Sequence, residues 1–250
     1  MYEVTVSTPN EQEYLLDYVS TSTQSYIDTI GGICTNLQQK NRSYFSVACS
    51  DTFGLQAQKV LKDTIVEVLS VGYKNLFVRN LLGVTEGNFY QNVLVDTMCV
   101  FDHQFDASML ASIVDVTKDI YLDGYYLFGM QNIKHKWENI ANMILENNYI
   151  LGDNELILEF LQYLLQSADS KVKQLSICID CNSYTLYDDR NKVIANSITL
   201  SPQSTIEQQA IVNAFNLNPQ TVKVYHNQML SPEFLHVAKS LFDIQYVNVS

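Results

Sequence analysis

Residues 201–249 read SPQSTIEQQAIVNAFNLNPQTVKVYHNQMLSPEFLHVAKSLFDIQYVNV, and the changes of period within them decide the fold class. Two Ser-Pro pairs, Ser201-Pro202 and Ser231-Pro232, each stand before a run of helical spacing, the first carrying Ile211, Val212 and Phe215. Proline suits the first turn of a helix because the N–H it lacks has no partner there. Between and after these runs, TVKVYHN and IQYVNV alternate in the manner of strands, with Val222 and Val224 on one side. Working backward, KQLSICID places Leu175, Ile177 and Ile179 on one face, and SYTLYDDRNKVI continues it through an Asp-Asp-Arg-Asn turn. The tail is therefore expected to be a small α/β layer of order β-β-α-β-α-β.

Upstream the pattern is helical. Val60, Leu61, Ile65, Val68 and Leu69 share one helix face, and two further helices are expected between Asn88 and Asp119, broken around FDHQFDAS. Trp137, Ile140, Met143 and Ile144 repeat the spacing, as do Ile157, Phe160, Leu161, Leu164 and Leu165 after a GDNE break. Asp51 to Ser167 reads as an all-helical block. Before it, YEVTVST, the Tyr14–Ile30 periodicity and SYFSVACS suggest β-α-β, with Gly31-Gly32 stopping the helix. The expected class is α+β, divided as 1–170 (β-α-β segment plus helical block) and 171–250 (α/β domain).

Composition narrows the function. The 250 residues are 47% hydrophobic and 17% charged, which suits a folded chain. The net charge of −12 falls entirely within the first 170 residues, because six basic and six acidic side chains balance from Lys171 onward. Phosphate backbones and anionic lipid surfaces repel such a surface, so neither nucleic acid nor a membrane surface is an expected partner. The longest apolar runs are far short of a membrane span. Five irregularly spaced cysteines and an opening segment without a basic or apolar leader suit a cytoplasmic location with reduced thiols.

The order of segments resembles one known family. An aromatic-rich entry to a long helix (LDGYYLFGMQNIKHKWENI, Leu122–Ile140) precedes a helix rich in Leu, Phe and Tyr (NELILEFLQYLLQSADSK). LSICIDCNSYTLYDD and the helix–strand–helix–strand tail, with His226-Asn227, follow. Over Tyr121 to Val249 this is similar to the YtxC family of sporulation-associated proteins. The resemblance implies a sporulation context and carries no established reaction. Departures are visible: Phe128-Gly129-Met130 lacks the family's arginine, Gln166–Lys171 lacks its proline, and no cysteine follows Cys181. A role resting on that arginine is not implied here.

Candidate sites are few. Tyr125, Tyr126, Phe128 and Trp137 suit core packing at a helix joint or a groove for a protein partner, and His226 joins them through the resemblance. Asp180, Asp188, Asp189 and His226 are the groups that could gather a divalent ion for phosphoester hydrolysis, although Asp188-Asp189 also suits a plain turn. Asp102, His103 and Asp106 fall in an expected interhelix loop, as a capping Asp and an exposed His or as a metal trio. Cys178 and Cys181 read as structural thiols, since residues three apart on a strand face opposite ways. No phosphate loop, nucleophile elbow or paired-histidine motif occurs. No cofactor is expected. The leading reading is a sporulation-associated protein that binds another protein; the alternatives are a metal-dependent hydrolase and a small-molecule sensor with its pocket under the Tyr/Phe cluster.

Overall fold

The structure, a computed structural model, describes residues 1–84, 87–147, 149–181, 183–194, 201–226 and 229–248. The protein is α+β, with two mixed sheets. By packing it forms two compact units, Met1–Phe77 with Asp102–Trp137, and Val78–Phe101 with Glu138–Ser250.

The first unit opens with β1 (Tyr2–Pro9), α1 (Glu13–Thr29), β2 (Ile33–Gln38), β3 (Arg42–Cys49) and α2 (Asp51–Glu67). A π-helical segment, Val68–Tyr73, leads into α3 (Lys74–Leu82), whose residues from Val78 on belong to the second unit. After α4 (Phe89–Phe101), which belongs to the second unit, come α5 (His103–Ile113) and β4 (Ile120–Tyr121). The helical turn α6 (Leu122–Gly124) and the π-helical Tyr125–Gly129 precede α7 (Gln131–Leu145), whose residues from Glu138 on belong to the second unit. The helical block is thus helical apart from β4, among the described residues. The sheet order is β2-β3-β1-β4, antiparallel except for the short β1–β4 pair.

Alternation explains how this sheet packs. Tyr2, Val4 and Val6 of β1 and Phe45, Val47 and Cys49 of β3 are buried on the face that α1 covers. The serine and threonine run in α1 does not break the helix: Ser20 and Thr23 are buried, and Thr23 Oγ1 bonds back to the Val19 carbonyl at 2.6 Å. α1 ends where expected. Gly31 adopts the left-handed conformation (φ +70°) that a helix C-terminus favours. A Cβ on Gly32 would stand 2.9 Å from the Ala48 carbonyl oxygen, so only glycine lets the chain turn this closely into β2. The periodicity alone had not announced that strand, because ICTNLQ buries nothing fully.

The second unit contains α4, α8 (Asn154–Gln166), β5 (Gln174–Asp180), β6 (Ser183–Tyr187), β7 (Val193–Ile194), α9 (Ile206–Leu217), β8 (Thr221–His226), α10 (Pro232–Leu241) and β9 (Ile244–Asn248). The strand order is β7-β6-β5-β8-β9; β5, β8 and β9 run parallel and the hairpin strands antiparallel. Leu175, Ile177, Ile179, Leu186, Val222 and Val224 are buried, and α9 packs against β5 and β6. The second Ser-Pro begins a helix as expected: the Ser231 side chain accepts from Phe234 N, with Pro232 in the first turn. The first does not. α9 starts later, at Ile206, because its cap Thr205 and Gln208 form a reciprocal capping box that satisfies two otherwise unpaired N–H groups.

Candidate functional site

In the first unit, the segment 122–137 is built on a buried ring of charge. Asp106 lies one turn after Asp102, on the α5 face that also buries Leu110. Lys74 reaches both carboxylates, at 2.5 Å to Asp102 and 3.0 Å to Asp106, and Lys136 does the same from α7 at 2.6 and 3.2 Å. The Trp137 indole donates to Asp106 Oδ2 at 2.8 Å and its ring packs beside Phe77. Lys74, Asp106 and Trp137 are essentially inaccessible, at 1%, 0% and 0% exposure. Two cations facing two anions leave no net charge in this interior.

This corrects two expectations. Asp106 and His103 lie within α5 rather than in a loop, and the Asp102 side chain, though next to the helix start, makes no capping bond. The carboxylates serve two lysines, and no three His, Cys, Asp or Glu groups among the described residues are placed to share a metal ion. Lys74 and Lys136 were not singled out from sequence. The available signal was an Asp at helical spacing within an apolar face, which requires a buried cation somewhere else in the chain.

The ring is pH-sensitive in one direction. Burial pushes the Asp102 carboxyl up, but the charges and hydrogen bonds of Lys74 and Lys136 outweigh it and hold it below the usual carboxylate range. A carboxyl depressed in the folded state stabilises the fold above its unfolded pKa, and that contribution is lost as pH falls through the folded value. We expect the urea midpoint, followed by the fluorescence of Trp137, to fall between about pH 5 and about pH 2 more steeply for the native protein than for Asp102→Asn. Equal slopes would remove Asp102 from this role.

Above the ring, the aromatic segment is clamped turn by turn. Arg42 grips Asp123 through two bonds, of 2.6 and 3.1 Å, which hold the Asp123 carboxyl low. Tyr126 stacks on Tyr73 at 4.9 Å, with Lys134 Nζ 3.9 Å from its ring centroid. The Tyr125 hydroxyl accepts from Asp115 N, and Gln131 Nε2 donates to the Leu127 carbonyl at 2.6 Å. Held this way, the π-helical turn turns Phe128 outward at 82% exposure and Leu127 at 48%. The four aromatics therefore divide: Trp137 is core, Tyr125 and Tyr126 are half-buried supports, and Phe128 is surface.

His226 belongs to the second unit, at the end of β8 beside Ile179. With Asp180, Cys178, Ser183, Thr185 and Tyr225 it lines a depression of about 300 Å³ at the carboxyl ends of β5 and β8. Asp188 lies at the opposite end of the β5–β6 hairpin, roughly 16 Å along the strand from Asp180. Its carboxylate accepts from Arg190 N and Lys192 N, closing the turn, and Asp189 is exposed in the same turn. These carboxylates cannot meet at one ion, so a hydrolytic site here reduces to Asp180 and His226. Asn227 lies outside the described residues. None of the five cysteines forms a disulfide. No helix among the described residues is long and apolar enough to cross a membrane. No family model, curated protein or solved structure matches the chain.

Proposed function

We propose that this protein acts by binding another protein, with Phe128 and Leu127 as the anchor, and that it does so as a cytoplasmic, YtxC-like protein of sporulating cells. The observation that carries the binding role is the exposure of Phe128 on a turn whose neighbours are all tied down. An aromatic side chain held ready in this way loses little conformational freedom on docking, which is the property of residues that dominate interface energies. Residues 124–137 include Lys134, His135 and Lys136 and no carboxylate, within an otherwise acidic stretch of chain. A partner with an apolar pocket for the ring and acidic groups at its rim is the complementary surface. The sporulation context rests on the resemblance of residues 121–249.

The test is a crosslinked pull-down with tagged protein from sporulating and vegetative cells, read by mass spectrometry, with Phe128→Ser in parallel. Removing an anchor of this kind costs about 2 kcal/mol, or roughly thirtyfold in affinity. The expected result is a stoichiometric partner recovered by the native protein during sporulation and lost with Phe128→Ser, whose thermal stability is unchanged. Recovery of the same partner by the variant would overturn the role of Phe128. A partner present equally in vegetative cells would remove the sporulation context.

A further inference from the structure

We infer that β2 is a self-pairing edge, through which two copies of this chain join their first-unit sheets about a two-fold axis at Thr35. β2 lies at the end of its sheet and pairs only with β3 among the described residues. Protein edge strands are ordinarily blunted by charge, proline, bulges or a covering element. Residues 31–39, GGICTNLQQ, contain neither charge nor proline, and β2 pairs with β3 in unbroken register. Ile33 and Leu37 are 66% and 56% exposed.

The pattern selects both the occupant and the register. Gln39 N donates to the Arg42 carbonyl at 2.8 Å, closing the β2–β3 hairpin. Antiparallel pairing alternates, so Ile33, Thr35 and Leu37 turn their backbone groups toward β3, while Cys34, Asn36 and Gln38 turn theirs to the open edge. A second β2 laid antiparallel about Thr35 sets Cys34 against Asn36 of the partner, and each pair exchanges two backbone hydrogen bonds. The same register sets Ile33 of one copy opposite Leu37 of the other, on the sheet face away from α1. Asn36 and Gln38 point their side chains the other way, to Ser20 and Glu13, and stay committed there. In a chain of net charge −12, an uncharged strand is a place where two copies approach without juxtaposed carboxylates. A two-fold contact needs a self-complementary patch, and ICTNLQ supplies one. The contact is small, so the dimer is weak and concentration-dependent.

Sedimentation equilibrium of the full chain from about 5 µM to about 1 mM, spanning the range of weak association, tests this. The weight-average mass should rise toward twice the monomer, and Thr35→Lys, which sets two like charges face to face on the solvent side of the sheet, should weaken the association at least tenfold. Register is read separately in a Cys181→Ser background. Thr35→Cys, a non-hydrogen-bonded pair across the axis, should form a disulfide-linked dimer on mild oxidation, and Leu37→Cys should not. A monomer at every concentration overturns the proposal, as does equal crosslinking of both variants. So does exchange protection of the β2 amides that appears only on adding a different protein.

Discussion

Asp106→Ala should destabilise the first unit by about 3–5 kcal/mol, because it leaves the buried Lys74 ammonium and the Trp137 indole without the carboxylate they share. The size follows from burial. Lys74 is 1% exposed, so water cannot replace the lost partner, and the remaining Asp102 is shared with Lys136. Lys136→Ala should cost far less, under about 1 kcal/mol, since its side chain is one-third exposed and its removal still leaves a cation against the carboxylates. Removing both buried partners together, as Lys74→Met with Asp106→Leu, should recover much of the loss, because an apolar pair carries no desolvation penalty. Urea unfolding read by fluorescence is well suited to this, as Trp137 is the chain's one tryptophan and touches the ring. A loss within about 1 kcal/mol of zero for Asp106→Ala would mean that the interior admits water to Lys74.

Asp96→Ala should cost the second unit a similar amount, about 3–5 kcal/mol. Asp96 is buried on α4 and accepts from the Arg79 guanidinium at 3.1 Å and from the Ser204 hydroxyl. Arg79 also donates to Asn92 and Ser201. One carboxylate thus ties α3 and α4 to residues 201–204, the segment that delivers the chain to the capping box of α9. Its loss takes away the anion bonded to a buried guanidinium and loosens the start of α9 at once. Trp137 is not in this unit, so the appropriate readout is hydrogen exchange. Amides of residues 206–226 should lose protection in Asp96→Ala and lose less in Asp96→Asn, which keeps an acceptor. Unchanged protection across α9 and β8 would show that the capping box holds the helix without Asp96.

The two networks also show which parts of the fold can be read along the chain. The C-terminal strands and helices were legible because each buries one face against a neighbour of regular period, as Leu175, Ile177, Val222 and Val224 do. Ser231-Pro232 was legible because capping is local. Ser201-Pro202 misled for the same reason: a stronger cap, Thr205 with Gln208, stands four residues on. β2 was not legible, since an edge strand with no fully buried residue has no alternation to display.

Site residues divided along the same line. The aromatic content of 122–137 marked the segment, but composition could not separate Trp137, at 0% exposure, from Phe128, at 82%. That difference depends on which elements lie beside each ring. Asp180, Asp188 and Asp189 looked like neighbours in sequence, and the hairpin register set Asp188 and Asp189 at the far end of the sheet from Asp180.

By itself the sequence determined the α+β class, most helices and strands, the acidic first 170 residues and the local caps. These follow from period, charge and short-range hydrogen bonding, which are properties of contiguous residues. Tertiary structure alone decided the pairing of Lys74 with Asp106 across 32 positions, the grouping of 1–77 with 102–137, and the outward turn of Phe128. Burial and ion pairing depend on which distant segments meet. A one-dimensional pattern states what a residue needs, and only the folded chain shows which partner meets the need.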